Sequence, residues 1–193
     1  NGIRGTYIPI EIKPGKLAPA LESLPKLGFK GVNLTMPLKQ EAIATVDELD
    51  PAGKLIGAVS CVVVRKDNSL LGINNDWIGF KDNLKARYPN WKSNTKTALV
   101  LGAGGGGLAI IYALIQEGIH NIILTNRTKV GAEKIANIFN NQNIQVRPWA
   151  ERHSLVEECE LIVNTTNQGM AGQPPLDLSL DLATPDTIVT DII

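Results

Sequence analysis

Cysteine, histidine, aromatic side chains and net charge are all scarce in this sequence. The two cysteines, Cys61 and Cys159, are far apart. They make neither a CxxC pair nor a zinc-type cluster, and the pattern fits buried thiols in a reducing cytoplasm. His120 and His153 have no metal-ligand neighbour at useful spacing, so no metal site is expected. Lysine plus arginine and aspartate plus glutamate are equal at 19 each. No overall field therefore draws the chain to nucleic acid or to an anionic membrane, and any phosphate binding must be local. No run of about 18 apolar residues exists, and the first residues lack the basic-then-apolar pattern of a signal peptide. Neither membrane insertion nor export is expected. Oligomeric state leaves no signature. What is abundant is apolar material, 44% of 193 residues, enough for one large core or two small ones.

The first half is irregular. Residues 6–12 read as a strand, 16–27 as a short helix stopped by Gly28, and 31–35 as a second strand. Past Pro37 the apolar positions Ile43, Val46 and Leu49 recur at helical spacing until Asp50-Pro51 interrupts them, and a further short helix runs through Ile56. Residues 60–65 and 70–74 flank the turn-forming Lys66-Asp67-Asn68-Ser69, which predicts a hairpin. A helix over 76–88 completes the domain, residues 1–88, and the polar stretch 89–96 reads as a linker. From Thr97 onward strands and helices alternate strictly: strand 97–101, helix 108–117, strand 121–125, helix 129–139, then strands 144–147 and 161–164. The fold class is α/β, with residues 97–193 forming a Rossmann-type doubly wound parallel sheet behind an N-terminal α/β domain.

The strand at 97–101 runs directly into Gly102-Ala103-Gly104-Gly105-Gly106-Gly107 and an apolar helix opening at Leu108. That is GxGxxG in the strand-to-helix context the motif requires. Gly102 permits the tight turn, Gly104 lets backbone approach a pyrophosphate, and Gly107 allows helix and strand to pack closely; free N–H groups of the helix face the phosphates. A glycine-rich crossover with no ligand is the alternative, but five glycines in six residues cost backbone entropy that folding alone does not favour. An NAD site places an acid about 20 residues on, at the end of the next strand. Here that position holds Asn126-Arg127-Thr128. A guanidinium and a hydroxyl suit a 2′-phosphate, so the expected cofactor is NADP, unless Arg127 is simply a solvated loop charge. Glu133 is the nearby acid that would argue for NAD. Arg147, Arg152 and Lys129 read as surface charges.

Asn33 and Thr35 lie two apart at the end of a strand and so share a face. Lys39 follows Pro37 at the start of a helix, where the dipole disfavours a cation, so it is either a general acid or base or a plain surface lysine. Asp76 immediately precedes its helix and reads equally as an N-cap. The order and spacing of Asn33-x-Thr35-x-Pro37-x-Lys39, Gly57-Ala58-Val59 and Gly72-x-Asn74-x-Asp76 with Gly79-Phe80 resemble the shikimate dehydrogenase family. The glycine turn, Asn126-Arg127-Thr128, and Asn164-Thr165-Thr166 with Gly169-Met170 are similar to that family's NADP loop, 2′-phosphate clamp and nicotinamide-side loop. The resemblance implies a catalytic pair of Lys39 and Asp76. It also implies substrate contacts from Asn33, Thr35, Ser60 and Asn74, cofactor contacts that include Thr165 and Met170, and NADP-linked interconversion of 3-dehydroshikimate and shikimate in aromatic amino-acid biosynthesis. The chemistry is consistent with this: a proton leaves the hydroxyl as hydride leaves its carbon, and a lysine oriented by a carboxylate can take it.

The sequence departs from the family's pattern in several places. Ser60 stands where the family has asparagine, Asn75 where it has threonine, and Trp77 where a small residue is common. A serine lacks the amide's paired donor and acceptor, which keeps quinate or another cyclic polyol acid in view as substrate. Trp77 is expected to pack in the core. The family's serine-rich carboxylate-binding segment and its C-terminal tyrosine and glutamine are not found. The chain therefore reads as an internal piece, expected to keep NADP binding better than turnover. A non-catalytic NADP-binding regulator is the alternative from another class. Glutamyl-tRNA reductases and methylene-tetrahydrofolate dehydrogenases share only the second-half features.

Overall fold

The computed structural model describes residues 4–140 and 143–192 and divides into two compact units, Asn1–Asn74 and Asn75–Ile193. The first unit is built on a mixed sheet of β1 (Gly31–Asn33), β2 (Glu48–Leu49), β3 (Cys61–Val64) and β4 (Leu70–Ile73), in the order β1-β3-β4-β2. β3 and β4 form the expected antiparallel hairpin, with Cys61 opposite Ile73 and Val64 opposite Leu70. Its turn is held by Asp67, whose carboxylate accepts from the Ser69 amide and hydroxyl. Helix α1 (Leu17–Ser23) buries Leu17 and Leu21 in a core shared with Val59, Val62 and Leu70.

Three expectations for this unit need correction. Residues 6–12 form no strand: nothing among the described residues pairs with them, and Tyr7, Ile8 and Ile10 are exposed. The helix after Pro37 is one turn, α2 (Leu38–Glu41), extended by a 3-10 turn at Ala42–Ala44. Leu49, read as helical, lies in β2, because β4 offers a parallel edge for Glu48 and Leu49 to pair with. The further short helix through Ile56 is present, and Asp50-Pro51 opens it. The Asp50 carboxylate caps α3 (Pro51–Ile56) through Gly53 N–H at 2.6 Å, with Pro51 in the first turn and Gly57 closing the helix at φ 67°.

The second unit opens with α4 (Asp76–Arg87) and α5 (Trp91–Asn94), followed by β5 (Thr97–Leu101), α6 (Gly105–Gln116), β6 (Asn121–Asn126), α7 (Lys129–Phe139), β7 (Ile144–Pro148), β8 (Leu161–Asn164) and β9 (Ile188–Asp191). All five strands are parallel, in the order β7-β6-β5-β8-β9. The point beside β5 where the strand order reverses is the switch point of a doubly wound sheet. Its strands are near-continuous apolar runs because both faces are covered; residues 98–101 and 161–164 are buried throughout. α6 is almost wholly apolar because α4 packs on its outer side.

α4 thus belongs by its contacts to the second unit, although the sequence suggested a first domain of residues 1–88. Nor is the stretch 89–96 a plain linker, since α5 lies within it and Trp91 is buried. Its aromatic side chain has an apolar surface to cover, which a periodicity test on a four-residue helix cannot register. No helix among the described residues is long and apolar enough to cross a membrane.

Candidate active site

α6 begins three residues earlier than expected. Gly105, Gly106 and Gly107 form its first turn, and Gly104 is its N-cap, contributing no side-chain cap bond. The turn proper is therefore Gly102-Ala103-Gly104. Gly102 has φ 108°, and a Cβ on it would lie 2.8 Å from Thr165 Oγ1; one on Gly107 would lie 2.4 Å from the Gly102 carbonyl oxygen. One on Gly106 would meet Ile192 at 2.7 Å. The protein's own packing requires Gly102 and Gly107, whereas the Ile192 side chain can move aside from Gly106. Gly104 and Gly105 differ: an added Cβ there meets nothing within 4 Å. The helix N-terminus faces open space at just these residues, where bare N–H groups and a positive dipole end suit a phosphate.

Residues from the ends of β5, β6 and β8 converge here. A cavity of about 190 Å³ is lined by Gly102, Ala103, Gly104, Asn126, Arg127, Trp149 and the stretch 165–168. Asn126 braces this site from within: its Oδ1 accepts from Ala103 N–H at 3.2 Å, and its Nδ2 donates to the Thr128 carbonyl and hydroxyl, each at 2.9 Å. Thr128, used in that way, does not line the cavity. Arg127 is exposed and has no ion pair among the described residues. Glu133 pairs with Lys129 at 3.3 Å, and Arg147 with Glu151 through a 2.8 Å hydrogen bond. Of the cations near the end of β6, Arg127 is the one that lines the cavity.

Thr165 acts inward. Its hydroxyl donates to the Leu101 carbonyl at 2.8 Å, fastening the loop after β8 onto the glycine turn. Asn164 organises the same loop: its Oδ1 accepts from the Thr166 amide (3.0 Å) and hydroxyl (2.7 Å), while its Nδ2 donates to the Gln168 carbonyl (3.1 Å) and the Asp191 carboxylate (2.7 Å). Met170 lies in an exposed turn outside the cavity lining. Arg152 is not the surface charge it resembled. It is 8% exposed, bonded to the Asp177 carbonyl and carboxylate and the Trp149 carbonyl. Those acceptors satisfy a guanidinium that would otherwise be costly to bury.

In the first unit, Asn33 ends β1 and its Nδ2 donates to the Tyr7 hydroxyl at 3.3 Å. Thr35 is exposed, its carbonyl accepting from Leu38 N–H at 2.9 Å. The Met36–Pro37 peptide that follows is cis. Lys39 is half-buried on α2, whose single turn generates too little dipole to carry the argument made from the sequence. Its carbonyl accepts from Val59 N–H at 2.8 Å, tying α2 to the segment before Ser60. Ser60 is buried, with its N–H on the Ile73 carbonyl. Asn74 is 1% exposed and donates to the Ala58 carbonyl at 3.0 Å. Asp50 accepts from Asn74 N–H at 3.2 Å as well as capping α3. This second role was not read from the sequence, although the Asp-Pro helix start was there to see.

In the second unit, Asp76 is the first helical residue of α4 and exposed; the N-cap is Asn75. The capping alternative for Asp76 therefore does not hold. Trp77 packs edge-on against Tyr112 of α6, ring centroids 5.2 Å apart, with the Lys81 ammonium 5.5 Å from its ring. It is a packing residue, as expected.

Comparison with known proteins agrees with this geometry. Residues 1–62 match the family model described as shikimate dehydrogenase substrate binding domain, and residues 84–171 match that described as shikimate / quinate 5-dehydrogenase. The shikimate dehydrogenase (NADP(+)) of Paramagnetospirillum magneticum is 41% identical over 192 residues, covering 100% of this chain and 69% of the relative. The crystal structure of shikimate dehydrogenase from Aquifex aeolicus is 40% identical with a TM-score of 0.81, covering 94% of this chain and 65% of that one. A Thermus thermophilus enzyme solved with NADP(H) and shikimate is 33% identical with a TM-score of 0.79, covering 93% of this chain and 64% of that one.

Proposed function

The chain belongs to the shikimate dehydrogenase family, and from that premise we propose that it serves an NADP-dependent oxidoreductase interconverting 3-dehydroshikimate and shikimate. The observation that carries the cofactor is the open glycine turn beside Arg127. Among the described residues nothing lies within 4 Å of a Cβ placed on Gly104 or Gly105, and the end of β6 presents a cation instead of an acid. Asn126 holds turn and clamp together, Arg127 takes the 2′-phosphate, and the first turn of α6 takes the pyrophosphate. NADP, when bound, supplies the acceptor or donor of hydride.

Residues 1–88 supply the substrate side in this reading, and residues 97–193 the NADP side. Asn33, Thr35, Ser60 and Asn74 orient the hydroxylated ring, Lys39 takes the hydroxyl proton at its Nζ or returns it, and Asp76 is the carboxylate of the catalytic pair. The two free thiols accord with a reducing cytoplasm, where we place the protein.

The test is NADPH formation from shikimate, compared with quinate, by the wild type and by Lys39→Ala. Turnover of shikimate that falls about 10²–10⁴-fold in the variant, with NADP affinity kept, is the expected result. Undiminished turnover in Lys39→Ala, or faster turnover of quinate, would refute the assignment.

A further inference from the structure

Asp76, the member of the catalytic pair that the second unit carries, opens α4. In the first turn of that helix Asp76, Ile78 and Gly79 are exposed, and a Cβ added to Gly79 would meet nothing within 4 Å. A glycine there costs helix stability and supplies no side chain to pack. Phe80 and Leu84 bury the body of the helix further on. Trp77 is the residue of the first turn that packs. Its ring meets that of Tyr112 in α6 at 82°, and the Lys81 ammonium lies 5.5 Å from its centre. Lys81 in turn reaches Glu117, at the end of α6, at 3.8 Å, and Lys92 of α5 reaches the same carboxylate at 3.6 Å. The Trp77 Nε1–H is buried without an acceptor. Such a group is destabilising, so the indole is kept there by its shape and not by a hydrogen bond.

α6 is also the helix whose first turn takes the pyrophosphate in the reading above. Whatever seats the start of α4 on α6 therefore sets where Asp76 stands relative to the cofactor. Placement matters steeply in such a reaction, since an error of about 1 Å costs about 10²-fold in rate. We propose that Trp77 is a positioning residue: wedged against Tyr112, it holds the first turn of α4, and with it the Asp76 carboxylate, in register with the cofactor helix. In this role it acts through Asp76. Phe80 and Leu84 keep the rest of α4 in place, so loss of the indole frees the first turn and leaves the helix packed. The inference rests on the assignment of Asp76 to the catalytic pair and adds to it the side chain that seats the carboxylate.

The test is a double-mutant cycle on shikimate oxidation by NADP+, with cofactor affinity followed by calorimetric titration. Trp77→Ala should lower kcat about 10–100-fold and leave the NADP+ dissociation constant within about twofold. Trp77→Phe, which keeps a ring against Tyr112, should hold kcat within about threefold of the wild type. In an Asp76→Ala background, adding Trp77→Ala should change kcat by less than about twofold, because a residue that acts through Asp76 has nothing left to position. Trp77→Leu, which keeps apolar volume without the ring, is read in the same way should Trp77→Ala not fold. Losses that multiply in the double variant, a single variant with undiminished kcat, or a parallel loss of NADP+ affinity overturns the positioning role and leaves the catalytic pair standing. Undiminished kcat in Asp76→Ala alone, or no shikimate turnover by the wild type, overturns the catalytic reading and this inference with it.

Discussion

The two units solve the burial of a sheet differently. In the second, all five strands run parallel, and β5 and β8 are buried residue after residue. In the first, the strands are short, mixed in direction and partly exposed; β4 alternates between buried and half-buried positions. Parallel strands connected by crossovers need cover on both faces, so the side chains along β5 and β8 are mostly apolar. A mixed sheet packs mainly on one face, leaving the rest of its surface free to present polar groups such as Asn33 and Thr35. In the proposed function this becomes a division of labour, with the first unit contributing Lys39 and the ring-binding groups and the second a rigid cofactor platform together with Asp76.

Substitutions that separate chemistry from cofactor binding test that division most sharply. Lys39→Met should reduce turnover about 10²–10⁴-fold, with the NADP dissociation constant unchanged by titration. A comparable loss of NADP affinity would mean that the units do not divide the work in this way. Next in size is packing: Leu124→Ala, at a fully buried position of β6, should cost about 2–5 kcal/mol in urea unfolding, whereas Val64→Ala, half-buried in β3, should cost about 1 kcal/mol. Equal costs would erase the distinction between the sheets.

Arg127→Gln should weaken NADP about 10–100-fold and leave NAD within about twofold, measured as separate dissociation constants. Parallel loss for both would place Arg127 elsewhere than on the 2′-phosphate. Within the glycine turn, Gly104→Ala should impair NADP binding without lowering Tm, and Gly107→Ala should lower both, since only the second meets protein atoms.

The smallest expected effect is a pH dependence. Burial, reinforced by the charges of Glu158 and Glu160, pushes the Cys159 thiol up from 9.0 to about 12. In the unfolded chain that thiol ionises near its ordinary value, so its contribution to stability is intact below about pH 9 and is lost as pH rises towards 12. Over that window the Tm of the wild type should fall more steeply than that of Cys159→Ala. Parallel slopes would show that the buried thiol does not titrate in this way.

Much of the second unit was legible because its signals are local or repeat regularly. The strand–glycine–helix junction and the spacing from Gly102 to Arg127 do not depend on distant partners, and in the structure Gly102, Gly104 and Arg127 line one cavity. The first unit was harder to read for a physical reason. Whether residues 6–12 join a sheet, and whether Leu49 is helix or strand, depends on which edges are available to pair, and no local pattern encodes that.

The candidate residues divide in the same way. Asn126, read as a cofactor contact, is in the structure a brace between two turns, and Thr165 fastens one loop onto another. Their polar chemistry was visible in the sequence, but their partners lie 23 and 64 positions away.

From sequence alone came the family, the doubly wound half, the glycine turn and the cationic end of β6, since each rests on residue type, spacing or hydrophobic period. Only the tertiary structure showed that Gly102 and Gly107 serve packing while Gly104 and Gly105 face open space, and that Trp149 and Gln168 share the cavity with Arg127. An unpaired buried group such as the Trp77 N–H is defined by what surrounds it, and those surroundings are assembled from elements far apart in the chain.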